Sequence, residues 1–387
     1  MKMIKKDSWK EVKIGDYVDH IEVNERNPDK RKDAKFVSVE HTSILDLRIN
    51  GVASEEQPSF NRTFKTGQIL FAKRWAISTP YPSKIAVAHF DGICSPHLWA
   101  LETKSGLLQS LLPFILQTNS FFEYANMNSA GSLAGVYLKW EPFSQYKFKL
   151  PPPVDQKQMS DLFESIVAAM EQVAVQEKNL KGLRTKLINR LTREQPKFGN
   201  VITNECKKVC IEDVAEEMSE RVDNPSKSEY DRFVGLEEFQ TGEMKIQKWV
   251  STDKLVSAMK VFKNGDVLFA RRNVYLKRVS QVDFDGICSG DAIVMRVNKN
   301  VIYPEFLTII LNTNEFWDYA LTNAAGAFSK RIKWRELAIY TFELPDLKIQ
   351  AKIMELFNQL ETTLSQLKQQ KTTLKNLKQK LLNEILG

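Results

Sequence analysis

Gly67-Gln68-Ile69-Leu70-Phe71-Ala72-Lys73-Arg74 and Gly265-Asp266-Val267-Leu268-Phe269-Ala270-Arg271-Arg272 are one string written twice, and this pair decides the fold. The echoes continue outward in order. Phe90-Asp91-Gly92-Ile93-Cys94-Ser95 returns as Phe284-Asp285-Gly286-Ile287-Cys288-Ser289. Lys139-Trp140 returns as Lys333-Trp334, and Leu150-Pro151 as Leu344-Pro345. Thr118-Asn119, which precedes an aromatic run, returns as Thr313-Asn314. The interval is about half of the 387-residue chain. That is too long for a solenoid repeat and fits a duplicated domain. Duplication predicts a pseudo-two-fold object, and such objects often read two-part sites on a two-fold ligand such as duplex DNA.

Each copy has two parts. The first part, residues 1–150 and again 196–343, mixes short apolar and β-branched runs with Gly, Pro, Asn and Asp turns, as at Ile69–Phe71 and Ile85–Val87. A more helical stretch follows at Leu107–Tyr124 and at Tyr303–Leu321. Both first parts read as α+β domains.

The second part, residues 151–195 and 344–387, is helical. Asp155 to Leu191 holds no proline. Leu162, Ile166, Ala169, Val173, Gln176, Leu180, Leu183, Leu187 and Arg190 step by alternating fours and threes, a heptad seam. One repeat later the seam is Leu356, Leu360, Thr363, Leu367, Gln370, Leu374, Leu377, Leu381 and Glu384. A helix of this size is about 55 Å long at 1.5 Å per residue. Alone it would expose a leucine stripe, so it needs a partner, and the nearest is its own copy. An antiparallel coiled coil would carry one α+β domain at each end. Gln176 and Gln370 fall near the helix midpoints, where one polar layer would set the register. Arg193 to Asn200, with Pro196 and Gly199, ends the first helix.

Bulk composition sets limits. The chain is 43% hydrophobic and 27% charged, as in a soluble globular protein, and no apolar run reaches the roughly 18 residues that cross a bilayer. Met1 to Asp7 turns polar at once, without a signal-peptide core, so the expected location is the cytoplasm. A net charge of +7 permits a nucleic-acid partner without proving one.

Catalytic signatures are sought and not found. The only Pro-Pro string, Leu150-Pro151-Pro152-Pro153, lacks the acid or amide before it and the aromatic after it that hold a flipped adenine. There is no phosphate loop and no dinucleotide fingerprint. All four histidines, His20, His41, His89 and His97, lie in the first copy. Asp283 and Asp291 stand where His89 and His97 would repeat. A histidine site shared by both halves is thereby excluded. Cys94 and Cys288 read as small buried hydrophobes. Cys206 and Cys210 lack the second pair that a tetrahedral zinc needs. Glu243-Met244-Lys245 resembles a nuclease triplet, without a suitably placed partner acid.

Base edges are read by donors and acceptors, and phosphates by Lys, Arg and backbone amides. The candidates follow the repeated strand: Lys73, Arg74, Trp75, Tyr81, Ser83 and Lys84, then Arg271, Arg272, Asn273, Tyr275, Lys277 and Arg278. The copies diverge directly after Arg74 and Arg272, as two different half-sites would require. Lys330, Arg331 and Lys333 form a second basic cluster, better suited to phosphate than to bases. Arg26, Lys30, Arg31 and Lys32 read either as a DNA contact or, preferably, as a surface loop.

The ordered set resembles the specificity subunit of a type I restriction-modification system. Val12-Lys13-Ile14-Gly15-Asp16-Tyr17-Val18 is answered by Val209-Cys210-Ile211-Glu212-Asp213-Val214-Ala215. Residues 265 to 271 resemble the family's mid-domain strand. Ala130-Gly131-Ser132 and Ala325-Gly326-Ala327 resemble its glycine loop. Leu-Pro followed by Gln156 or Gln350 resembles the start of its spacer helix. No one string is diagnostic; the ordered set, present twice with heptads after each, is a strong signal. The resemblance implies two target-recognition domains held apart by two antiparallel helices, and a bipartite double-stranded DNA site with an unspecified gap. It implies two methyltransferase subunits and often restriction subunits as partners. Those partners would carry S-adenosylmethionine and ATP; this chain would carry no cofactor and no catalysis. The glycine loop departs from symmetry: Leu133-Ala134-Gly135 stand in one copy near where Lys330 and Arg331 stand in the other. If that loop touches phosphate, the halves differ in affinity. The competing readings are a fused nuclease or methylase, which the missing motifs oppose, and a coiled-coil scaffold that binds protein only.

Overall fold

The computed structural model describes residues 6–27, 31–42, 47–53, 59–75, 84–132, 135–190, 197–198, 201–202 and 206–387. It divides into two compact units, residues 1–177 with 366–387, and residues 178–365. The long helices, Pro153–Ile188 and Leu347–Ile385, fall where the seams place them, and the units cut across both. No helix among the described residues is long and apolar enough to cross a membrane.

Each unit holds the same antiparallel sheet. In the first unit its order is Val18–Ile21, Leu98–Thr103, Ile69–Ala72, Ile85–Val87. In the second it is Ala215–Met218, Ala292–Val297, Val267–Ala270, Val279–Gln281. The repeated Ile-Leu-Phe-Ala and Val-Leu-Phe-Ala strands are therefore central and fully buried, which explains their unbroken apolar character. A second sheet, of three strands in the first unit and five in the second, carries the repeated Phe-Asp-Gly-Ile-Cys string. Its strand Gly92–Cys94 runs parallel to Phe36–Val37, and Gly286–Cys288 runs parallel to Arg232–Val234.

The chemistry of that string is structural. A Cβ on Gly92 would meet the Lys35 carbonyl at 2.6 Å and the Phe64 ring at 2.7 Å. On Gly286 it would meet the Arg232 carbonyl and the Phe262 ring, both at 2.7 Å, so only glycine fits either site. Asp91 accepts from the Thr66 backbone N–H and the Lys65 ammonium, both at 2.8 Å, which hold its carboxyl at about 2. Asp285 repeats this with the Asn264 N–H. Burial pushes the Cys94 and Cys288 thiols up to about 12, so both are packing groups. The Glu243-Met244-Lys245 triplet is structural too. Its Met244 carbonyl accepts from Gln281 N, and Lys245 bridges to the same strand.

Two buried glutamines fix each domain to the start of its helix. Gln156 Nε2 donates to the Gly106 and Pro151 carbonyls at 2.8 and 2.9 Å, and its Oε1 accepts from Leu108 N at 2.7 Å. Gln350 repeats the pattern with Val301, Pro345 and Tyr303. The far ends of the helices dock crosswise. In the first unit Asn383 Oδ1 accepts the Asn119 N–H at 2.9 Å, and in the second Asn189 Oδ1 accepts the Asn314 N–H at 2.7 Å. Each thus satisfies one of the free donors at the first turn of a short helix that Thr118 or Thr313 also caps.

The helices run antiparallel within each unit. Glu177 pairs with Lys371 at 3.7 Å in the first, and Arg184 with Glu361 at 2.6 Å in the second. Half of the expected seam is correct. Ile166, Val173, Leu360 and Leu367 are buried, and Leu162, Leu180, Leu187, Leu374 and Leu381 are half-buried. The other row lies one residue further on. Leu183 and Leu377 are exposed at 45% and 43%, Leu356 at 37%, and Gln176 and Gln370 face solvent. Phe163, Met170, Phe357, Leu364 and Lys378 are buried in their place. The glutamines therefore form no buried polar layer, and the Glu177–Lys371 pair stands beside them instead. These two residues occupy equivalent positions of the repeat. Identical copies would oppose like charges there; divergence to opposite signs removes that repulsion.

Phe163 packs in a tilted pair with Phe114, ring centroids 5.0 Å apart, and the Lys378 ammonium lies over the Phe114 ring. Phe163→Ala should cost about 3 kcal/mol or more, whereas Gln176→Leu should change stability by no more than about 0.5 kcal/mol. Urea unfolding of the full chain measures both. A large loss from Gln176→Leu with little from Phe163→Ala would restore the original seam.

Candidate nucleic-acid interface

The second unit gathers its basic candidates around one carboxylate. Directly after the buried strand Val267–Ala270, Arg271 and Arg272 turn to Asp291, at 3.7 and 3.6 Å. Arg331 reaches the same carboxylate from the second basic cluster, at 3.3 Å. The backbone holds the clusters together: Arg272 bridges to Arg331, Asn273 N donates to the Lys330 carbonyl at 2.9 Å, and Ile332 N to the Arg271 carbonyl at 3.1 Å. Three guanidinium groups around one carboxylate leave a net positive face.

The chain then turns sharply. Asn273 (φ 56°) and Lys277 (φ 50°) are left-handed and flank a single 3-10 turn, Val274–Leu276. Such backbone is costly for residues other than glycine and concentrates at functional sites. Val274 is the buried anchor, and Tyr275 is 55% exposed. Arg278 turns inward, donating to the Leu236 carbonyl at 2.6 Å. Burial lowers the pKa of its guanidinium, partly offset by Tyr275. Lys330 and Lys333 remain exposed.

The first unit builds this corner differently. Arg74 is exposed, and with Trp75 forms a strand paired with Val136–Tyr137. Trp75 is not a surface residue: it is 8% exposed, packs in the core, and donates its indole N–H to Asn126 at 3.2 Å. Lys73 lies 5.7 Å over the Trp99 ring, its pKa lowered by burial and then by Arg62. Lys84 reaches the Val39 carbonyl at 3.3 Å. Tyr81 and Ser83 lie outside the described residues, as does Lys30. Arg31 donates to the Phe60 carbonyl at 3.0 Å and covers the Phe36 ring, as a structural side chain does.

His97 takes the place of Asp291. The backbone bond is kept, from Lys73 N to the His97 carbonyl and from Arg271 N to the Asp291 carbonyl, both at 3.0 Å. The carboxylate is not. Burial, Arg74 and Lys73 lower the His97 pKa, so the first unit's cations face a neutral ring. The sequence flagged the His97-to-Asp291 exchange without placing either residue at the basic clusters. Ser329 was missed too. It accepts from Arg272 Nε at 3.1 Å and donates to Asn273 at 2.9 Å. No motif marks contacts made across so many residues.

Residues 204–376 match the family described as the type I restriction modification DNA specificity domain. The second repeat is thus similar to a type I DNA specificity domain. The first, with the same strand order and the same landmarks, is its copy. A curated relative, the specificity subunit of the type I restriction enzyme HindI from Haemophilus influenzae, is 28% identical over 130 residues. That match covers 32% of this chain and 28% of the relative's length. Among solved structures, the type I restriction-modification S subunit from M. genitalium has a similar fold, with a TM-score of 0.59 at 11% identity, over 100% of this chain and 98% of that one. A chain from a study of the assembly and conformational transition of the type I restriction-modification system also scores 0.59, at 16% identity over 97% of both chains. The specificity-subunit fold therefore extends over both repeats and both helices.

His20 gives the first domain a pH response. It lies 5.5 Å from both Trp99 and Trp140, and Arg62 donates to its Nε2 at 3.3 Å, which requires that nitrogen unprotonated. Burial, opposed by Glu22 and reinforced by Arg62 and Lys73, lowers its pKa to about 4. The unfolded chain binds this proton near pH 6.5. The folded state therefore loses stability as pH falls below about 6.5 toward 4. Urea midpoints measured between about pH 6.5 and pH 5 should fall less in His20→Gln than in the wild type. Equal falls would show that His20 is not the titrating group.

Proposed function

We propose that this chain is the non-catalytic, sequence-reading subunit of a type I restriction-modification complex. Residues 1–150 and 196–343 would each read one half of a bipartite double-stranded DNA site, and the paired helices would set the gap between them. Two adenine methyltransferase subunits, and restriction subunits where the system has them, would assemble on the chain. Those partners would bring S-adenosylmethionine and ATP. The complex would act in the cytoplasm.

The observation that carries the reading is the cluster of Arg271, Arg272 and Arg331 on Asp291. It stands on exposed segments directly after the shared strand, where the two copies cease to agree. A common frame followed by divergent polar residues is what two different half-sites need. Arginines gathered at one carboxylate present donors suited to bidentate bonds to guanine or phosphate.

Salt titration tests this. The chain bound to its methyltransferase should lose affinity for duplex DNA steeply as salt rises from about 50 to about 200 mM. Arg272→Ala should make the log–log slope shallower by about one. Asp291→Asn removes a negative charge from the face and should strengthen binding to unrelated sequences. No binding, or binding indifferent to salt, would favour a scaffold that contacts protein only.

A further inference from the structure

A phenylalanine in the second unit is held out into solvent by a built frame. Phe328 is fully exposed, so it forgoes all the stabilisation that burial of a large apolar side chain brings. Ala325 and Arg331 exchange both backbone N–H···O bonds at 2.8 Å and close the loop from Gly326 to Lys330. Gly326 has a φ of 119°, and a Cβ there would meet the Ser329 carbonyl at 2.9 Å, so the loop requires glycine. Ser329, next to Phe328, is tied to Arg272 and Asn273 through its hydroxyl, and the Lys330 carbonyl accepts from Asn273 N. The loop is thus closed on itself and bonded, just after its apolar tip, to the arginine-bearing segment.

We propose that Phe328 is an apolar wedge that stacks against a base-pair step of the half-site read by the second domain. This rests on the DNA-reading function proposed above. Charge selects the occupant: Lys330 and Arg331 follow Phe328, and Arg272 is bonded to its neighbour. The cores of protein interfaces are depleted of charge. A phenylalanine between cations instead matches proteins that partly unstack a base step while holding the flanking phosphates. The corresponding loop of the first copy, Gly131-Ser132-Leu133-Ala134-Gly135, carries no aromatic residue. Only one half-site should be deformed in this way.

The test uses the chain bound to its methyltransferase and duplexes of about 40 base pairs that the wild-type complex selects from a random pool. 2-Aminopurine replaces a base at each step of the bound half-sites in turn. The wild type should raise its fluorescence at a step in one half-site only. Phe328→Ala should abolish that rise and weaken binding about tenfold. Its salt slope should not change, because no phosphate contact is lost. Phe328→Trp should restore both signals. Phe328→Ala with wild-type fluorescence and affinity would overturn the wedge. So would a folded Phe328→Ala chain that no longer co-elutes with the methyltransferase, since the ring would then contact protein. A wild-type complex that retains no duplex would instead remove the DNA-reading function itself, and the wedge with it.

Discussion

Everything in this chain depends on covering a long apolar stripe. Pro153–Ile188 and Leu347–Ile385 each carry one buried stripe of two rows on otherwise polar helices, and neither could be stable alone in water. Phe163, Met170 and Val173 lie in the same unit as Leu382 and Ile385, while Ile188 lies with Ile353 and Phe357. The end of one repeat's helix therefore completes the core of the other repeat. Asn383 on Asn119 and Asn189 on Asn314 complete this exchange at the helix ends. Neither repeat closes its core by itself, which is a physical reason for the two to persist in one chain.

Divergence is distributed unevenly over this shared frame. Positions that hold geometry are kept: Gln156 and Gln350 at the helix starts, Thr118 and Thr313 as caps, Gly92 and Gly286 where backbones nearly touch. Positions on the exposed segments after the central strand are not. His97 and Asp291 share a backbone bond yet give opposite electrostatics, a neutral ring in one domain and a carboxylate binding three arginines in the other. A frame that keeps direction while its tips vary is suited to reading two unlike half-sites.

The sequence made the duplication, the α+β class and both helices visible, because each rests on periodicity or local strings. The sides of the helices were only half visible. Leucine at 162, 183, 356 and 377 marks a plausible row, but the larger Phe163 and Phe357 take the interior, which rotates the seam and exposes Gln176 and Gln370. Trp75, a DNA-contact candidate by its place after the repeated strand, instead completes the core with its ring, and its N–H is satisfied by Asn126. The basic candidates of the second copy were found by composition. Their organiser, Asp291, and the loop tip at Phe328 depend on contacts between segments about 20 to 57 residues apart, and no local pattern reports these.

The central claim is that each domain reads its own half of one DNA site. Genome-wide methylation mapping in a strain that expresses the chain with its methyltransferase tests it most directly, beside a strain in which residues 1–150 come from a different specificity subunit. The account predicts a methylated two-part motif with an unspecified gap, lost when the chain is deleted and changed in one half only by the exchange. An unchanged methylation pattern, with the methyltransferase demonstrably active, would contradict it.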